Sequence, residues 1–312
     1  MSRSVPTDAA LRRLHVNNAR DLASACSTIA PGRVFRCANP LSASEGDIAL
    51  LRDELGVTEL LDLRTNFEWR ADGLSALADS ADVWRVQRQS DSTVKMEPVQ
   101  QSMTSEASSI RLHRVSIQEW RMYTRAFVLR LPLHRSLPIA FWLVVGLLLA
   151  WKVPVPQVRQ RVIREANREG LLGMYKTILD AFRPEICAAM KVVAAAAVAG
   201  QPLAMYCKLG KDRTGLIAML VLSCCGATDD EIVADYARSG GAHNVAKLVS
   251  SPKLGGLDVT LFSRAPLEVM RDTLAYLRIT HGCVPAYLQA CGFDRAAQAQ
   301  LARDLTPATS PV

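Results

Sequence analysis

One stretch, "LAMYCKLGKDRTGLIAML" from Leu203 to Leu220, limits the fold more than any other part of the chain. Four apolar residues lead into Cys207, six residues then gather Lys208, Gly210, Lys211, Asp212 and Arg213, and an apolar run follows. A short apolar run, a tight polar turn and a longer apolar run predict a buried strand, a loop and a buried helix. A strand buried on both faces belongs inside a mostly parallel sheet covered by helices, so the expected class is α/β. The expectation is a central sheet of four to five strands, flanked by helices, with this loop at a strand's C-terminal end.

The chain has 312 residues, enough to bury a sizeable core, and a net charge of +7. That charge suggests anionic partners. Nucleic acid is not expected among them, because aromatics make up only 6% and no zinc-finger or RNP-like motif is present. None of the eight cysteines forms a C-x-x-C pair, so neither a metal site nor a cofactor is expected. The first twenty residues contain no apolar signal-peptide core, which implies a cytoplasmic protein with free thiols.

Several elements precede the loop. "GRVFRC" reads as a strand, Ser44 caps a helix stopped by Gly56, and "VTELLDLR" reads as a buried strand. Residues 89–110 are rich in Ser, Gln and Thr and read as a flexible loop. Residues 111–168 read as a helical insert, and residues 306–312 as a disordered tail on a single domain spanning 1–305. Between 111 and 170 there are eleven Lys and Arg against three Glu, an excess that accounts for the whole net charge. Inside lies "SLPIAFWLVVGLLLAW", Ser136 to Trp151, without a charge. A spanning helix needs ~20 such residues. A single crossing would also put two strands of one sheet on opposite sides of a bilayer. The segment is therefore expected to be a lid over the site or a segment at an anionic membrane interface, with the protein peripherally associated.

The loop carries the chemistry. Between a strand and a helix N-terminus, unpaired amides and the helix dipole form an anion site. Gly210 permits the tight backbone that turns successive amides inward, and the Arg213 fork suits two oxygens of one phosphate. Cys207 then lies beneath a phosphate-sized bowl, where a cysteine pKa can fall from ~8.5 to ~3.5–7.5. It is the expected nucleophile of a phosphocysteine mechanism, with Asp212 as acid and base and Thr214 as donor to the sulfur. Lys208, Leu209, Gly210, Lys211 and Thr214 complete the expected phosphate-binding set. A Walker A loop is excluded, because Met205 stands where glycine is required and Asp212 follows Lys211.

"YCKLGKDRTGL" resembles the signature loop of cysteine-dependent tyrosine and dual-specificity phosphatases, and "GKDRTG" is most similar to their atypical, tyrosine phosphatase-like branch. "NNARDLA", the Asp-Leu-Arg strand followed by Glu68, "EIVADYARS" and "VPAYLQACGF" are similar to further elements of that branch, in the same order. The resemblance implies a cysteine-phosphatase fold and phosphomonoester hydrolysis on phosphotyrosine proteins, with phosphoinositides as a further substrate class. It favours Asp212 as general acid, with Asp62 second and Arg64 its companion. Tyr206 departs from the pattern, which has His before the cysteine. The competing readings are a phosphate-binding pseudophosphatase and a membrane-surface interaction protein.

Overall fold

The structure, a computed structural model, describes residues 7–40, 43–72, 82–89, 93–100, 110–148, 155–240 and 256–307. Among them one sheet is built from β1 (Arg20–Asp21), β2 (Val34–Ala38), β3 (Glu59–Asp62), β4 (Asp82–Arg88), β5 (Val94–Gln100), β6 (Arg111–Arg114) and β7 (Leu203–Cys207). Its order is β1-β2-β7-β3-β6-β4-β5. The five inner strands run parallel, while β1 and β5 pair antiparallel at the edges. The α/β class and mostly parallel sheet are as expected. The strand count rises to seven because both edges carry an extra strand.

In chain order the helices are α1 (Thr7–Arg13), α2 (Glu45–Ala49), α3 (Asn66–Asp72), α4 (Trp120–Arg130), α5 (Leu133–Leu148), α6 (Val155–Ala181) and α7 (Arg183–Val198). After β7 come α8 (Asp212–Cys224), α9 (Asp229–Ala237), α10 (Val259–Ser263), α11 (Leu267–His281), α12 (Val284–Cys291) and α13 (Arg295–Leu305). Ser44 and Thr228 form capping boxes with Asp47 and Glu231, which explains where α2 and α9 begin.

Alternation along the strands divides the core in two. Phe35, Leu60, Leu112, Ala204 and Tyr206 face Leu14, Leu51 and Leu55. Val34, Leu61, Met205 and Cys207 face Ile186, Met190, Leu216 and Leu220. Every residue from Arg213 to Leu222 is buried, so α8 is held by packing on all sides. Each of its buried Leu or Ile side chains contributes about 1.5–3 kcal/mol. That anchors the loop at β7's carboxyl end, where open parallel sheets place their sites.

Two expectations change. Residues 94–100, expected in a loop, form the edge strand β5 paired with β4. "VKMEPVQ" alternates in period two, but its polar composition hides this, and Pro98 is tolerated at an edge. Residues 90–92 and 101–109 of that expected loop lie outside the described residues. The insert does not begin at 111, because Arg111–Arg114 is an inner strand between β3 and β4. Its charged residues sit over a buried carboxylate: Arg111 Nη2 is 2.5 Å and His113 Nε2 is 2.7 Å from Glu59. Helix starts only at Trp120. The uncharged stretch lies largely in α5, its last three residues falling outside the described ones. No helix among the described residues is long and apolar enough to cross a membrane. Of the expected tail, 308–312 are outside the described residues.

Candidate active site

The loop between β7 and α8 is held from outside by its carbonyls. The Asn39 amide donates to the Lys208 carbonyl (3.3 Å). Asn18 Nδ2 donates to the carbonyls of Leu209 (3.2 Å) and Gly210 (2.9 Å), and Arg36 Nη2 donates to that of Gly210 (2.7 Å). In a planar trans peptide the next N–H points opposite to the carbonyl. The amides of Leu209, Gly210 and Lys211 therefore turn to the other side together, next to the N-terminus of α8. That is an anion nest. Gly210 makes it possible: its φ is +64°, and a Cβ there would lie 2.2 Å from the Cys37 carbonyl oxygen.

Behind the loop stands a buried ionic lattice. Arg36 Nη1 lies 2.5 Å from one oxygen of Asp235, and Arg20 Nε lies 2.7 Å from the other. Arg20 Nη2 also donates to the Asp235 carbonyl (2.7 Å) and to Ser239 Oγ (3.1 Å). Burial, then neighbouring Arg36, lowers the Arg20 pKa to about 10 against the pull of Asp235. Asn18 and Arg20 thus act as the latch under the loop, with Arg36 and Asp235 as its other half.

Cys207 is the last residue of β7, 1% exposed, on the face opposite Tyr206. Arg213, in the first turn of α8, donates through Nη1 and Nη2 to the two oxygens of Glu68 at 2.5 and 2.7 Å. Burial works against the Arg213 charge, but Glu68, the Cys207 sulfur and Asp212 together raise its pKa. Two buried donors here have no partner: Arg213 Nε and Thr214 Oγ1. Thr214 is thus in place, but its hydroxyl makes no hydrogen bond to the sulfur.

Asp212 opens α8 and is oriented by a relay that the sequence did not disclose. Tyr175 on α6 donates to its Oδ1 at 2.7 Å, and the Tyr236 hydroxyl lies 2.8 Å from that of Tyr175. Because Tyr175 spends its proton on Asp212, Tyr236 is the donor between the two phenols.

The other expected residues separate. Leu209 and Lys208 stand on the loop, half-buried. Lys208 Nζ pairs with Asp72 at 2.5 and 2.6 Å. Lys211 turns out of the bowl altogether: it is fully buried and donates to the carbonyls of Phe262 (2.7 Å) and Arg264 (2.9 Å). Its ammonium also forms an ion pair with Asp212 Oδ1 at 3.4 Å. Asp62 is gripped by Arg64 through Nε (3.0 and 3.1 Å) and Nη2 (2.7 Å). It shares Tyr206's row of the sheet and so faces away from Cys207. Asp62 and Arg64 form a buried tie at the end of β3, so Asp62 is not brought to the loop as a second acid. Tyr206, where the resembling pattern has His, belongs to the same tie: burial and then Asp62 raise its phenol pKa well above 10, and Arg64 stacks 5.6 Å from its ring.

No local sequence pattern assigns a role to Arg36, Tyr175, Asp235 or Tyr236, and none shows that Arg213 is the partner of Glu68. Arg36 carried a signal, since a cation in the apolar strand "VFRCA" needs a buried carboxylate.

Residues 12–307 match the tyrosine phosphatase family. The chain belongs to that family. The triple specificity protein phosphatase PtpB of Mycobacterium tuberculosis is 24% identical over 295 residues, covering 89% of this chain and 92% of the relative. A Cupriavidus necator protein named as a candidate tyrosine-protein phosphatase is 33% identical over 72 residues, 23% of this chain and 26% of its own. The crystal structure of the core catalytic domain of the S. cerevisiae PP-IP phosphatase SIW14 covers 84% of this chain and 93% of that one. Its identity is 12% and its TM-score 0.32, too distant to inform this site. As a member of the family the chain is a cysteine-dependent phosphatase enzyme.

Proposed function

We propose that this phosphatase hydrolyses phosphotyrosine and other phosphomonoesters through Cys207, with Arg213 holding the phosphoryl oxygens and Asp212 moving the proton. The observation that carries the reading is the pair of buried, unpartnered donors, Arg213 Nε and Thr214 Oγ1, beside a loop whose Lys208, Leu209 and Gly210 carbonyls point outward. Unpaired buried donors cost roughly 1–3 kcal/mol each unless an anion satisfies them.

In the first step Cys207 Sγ forms a bond to phosphorus as the ester P–O bond breaks, and protonated Asp212 gives its proton to the leaving oxygen. In the second, Asp212 takes a proton from water. The water oxygen bonds to phosphorus, the S–P bond breaks, and inorganic phosphate leaves with the thiolate regenerated. Both close contacts of the Asp212 carboxylate use Oδ1, which supports Oδ2 as the oxygen that handles the proton. Thr214 donates to the sulfur or to the bound phosphoryl group.

Cys207 is 1% exposed, which favours substrates that project their phosphate, as a tyrosine ester does. A range wider than phosphotyrosine is supported by the triple specificity for which the mycobacterial relative is named, and phosphoinositides within it by the excess of basic residues in the 111–168 segment. Lys211 gives that range no support, being committed to the protein.

The deciding experiment is Cys207→Ser assayed beside the parent on phosphotyrosine peptides, phosphoserine peptides and phosphoinositides. Turnover falls to background on every substrate while phosphate still binds; vanadate inhibits the parent, and EDTA leaves it unaffected. Near-normal activity of Cys207→Ser overturns the mechanism. Phosphate release from phosphotyrosine alone removes the wider range.

A further inference from the structure

Helix α5 is apolar on two sides. Ile139 faces inward and packs with Phe127 and Val162, so the inner side is already filled. On the far side Leu133 is 76% and Leu137 61% exposed, and Leu129, just before, is 73% exposed. At ~100° per residue, Leu133 and Leu137 lie about opposite Ile139 and share one stripe. A helix apolar all round is normally enclosed by protein or by lipid.

The stripe borders a cationic recess. A cavity of about 100 Å³ lies between α5 and α6, with His134, Arg135, Arg161 and Arg164 in its wall beside the single carboxylate of Glu165. Glu165 is committed: Arg135 Nε donates to it at 2.6 Å, and Arg135 Nη1 reaches Glu169 at 2.8 Å, fastening α5 to α6. Arg161 and Arg164 form no ion pair among the described residues, and Arg164 and Arg168 are exposed along the same helix. His134 and Pro138 follow Leu133 and Leu137 round the helix, so recess and stripe adjoin.

We propose that this face of α5 and α6 docks on an anionic bilayer. The headgroup phosphate enters the recess against Arg161 and Arg164, and Leu133 and Leu137 enter the boundary of the acyl chains. Charge complementarity selects the occupant, because the segment holding the stripe carries the chain's whole positive excess. Helix α6 continues past Gly170, where the backbone breaks from helical geometry, to Tyr175 at Asp212. Helix α6 thus links the docking face to the residue that orients Asp212. The proposal is independent of the mechanism above, since binding is read without turnover.

The test is flotation of the full-length chain with vesicles of phosphatidylcholine alone and of phosphatidylcholine with phosphatidylserine. The parent floats with the anionic vesicles, and raised salt weakens it. Arg161→Gln with Arg164→Gln lowers the affinity roughly thirtyfold. Leu133→Ser with Leu137→Ser lowers it at least about tenfold. Both double variants keep the parent's thermal midpoint and its turnover of p-nitrophenyl phosphate. The proposal is overturned if the parent does not float with anionic vesicles, if its binding ignores salt, or if both variants float as it does. It is equally overturned if the parent dimerises without binding vesicles and the leucine variant is monomeric, which would assign the stripe to a second copy of the chain.

Discussion

Arg213 and Glu68 meet as two parallel hydrogen bonds, 2.5 and 2.7 Å, across a gap of 145 residues in sequence. The carboxylate fixes the plane of the guanidinium, and Leu63's carbonyl, 3.4 Å from Nη1, limits its tilt. Nε is left without a protein partner. The fork is thus oriented before any substrate arrives, which lowers the entropy that binding must supply.

The pair has a pH signature. Burial pushes the Glu68 carboxyl up, but Arg213 and Thr65 outweigh it and bring the pKa from 4.5 to about 2. The folded value lies below the unfolded one, so this stability is fully present above about 4.5 and is lost as pH falls through about 2. Glu68→Gln removes it. The expected difference from the parent in unfolding free energy, measured by denaturant titration, is on the order of 3 kcal/mol at neutral pH and shrinks toward pH 2. A difference that stays constant across this range would show that the charge of Glu68 is not what matters.

Tyr175 is a positioning residue for Asp212. Tyr175→Phe removes the hydroxyl that hydrogen-bonds the carboxylate while keeping the ring in the core. The expected loss of kcat is roughly tenfold or more on alkyl phosphates and smaller on aryl phosphates with good leaving groups, which need the proton less. Asp212→Asn should show the same split, deeper. Equal losses on both substrate types, or a changed KM with kcat intact, would assign Tyr175 to packing alone.

The lattice behind the loop is tested by Asp235→Asn. The change leaves Arg20 and Arg36 buried without their shared carboxylate, a loss of about 3–5 kcal/mol. Ser239→Ala removes one neutral acceptor from Arg20 and should cost about 1 kcal/mol. Urea midpoints compare the two directly. If Asp235→Asn costs no more than Ser239→Ala, the charges are not what holds the loop.

Much of this site was legible because it is contiguous. Cys207 to Thr214 is one turn between two apolar runs, so the spacing marks the loop, but it does not show that Lys211 turns away from the bowl and Lys208 toward Asp72. Glu68, Tyr175 and Asp235 come from three separate helices, and no local pattern links them to the loop. Tyr175 left a faint trace: Leu171, Tyr175, Ile178 and Leu179 fall on one buried helical face, where a phenol must find a partner. β5 and β6 were missed for opposite reasons. β5 is a polar edge with little to bury, while β6 is four residues long and too charged to read as an inner strand until Glu59 is seen beneath it.

Lys208 and Lys211 look equivalent in sequence, and the structure gives them different work. Lys211 is fully buried, donates to the carbonyls of Phe262 and Arg264, and pairs with Asp212. Lys211→Met strands two carbonyls, at about 1–3 kcal/mol each, so the thermal midpoint should fall markedly while the remaining folded protein still binds vanadate. Lys208 is half-buried and held by Asp72, a partner that a second anionic group can displace. Lys208→Met should leave the midpoint nearly unchanged, because partly exposed pairs contribute about 0–1 kcal/mol. If phosphoinositides are substrates, it should lower kcat/KM on them more than on p-nitrophenyl phosphate, which has no second phosphate. A Lys211→Met protein of unchanged midpoint and weakened vanadate affinity would reverse the assignment and return Lys211 to the phosphate.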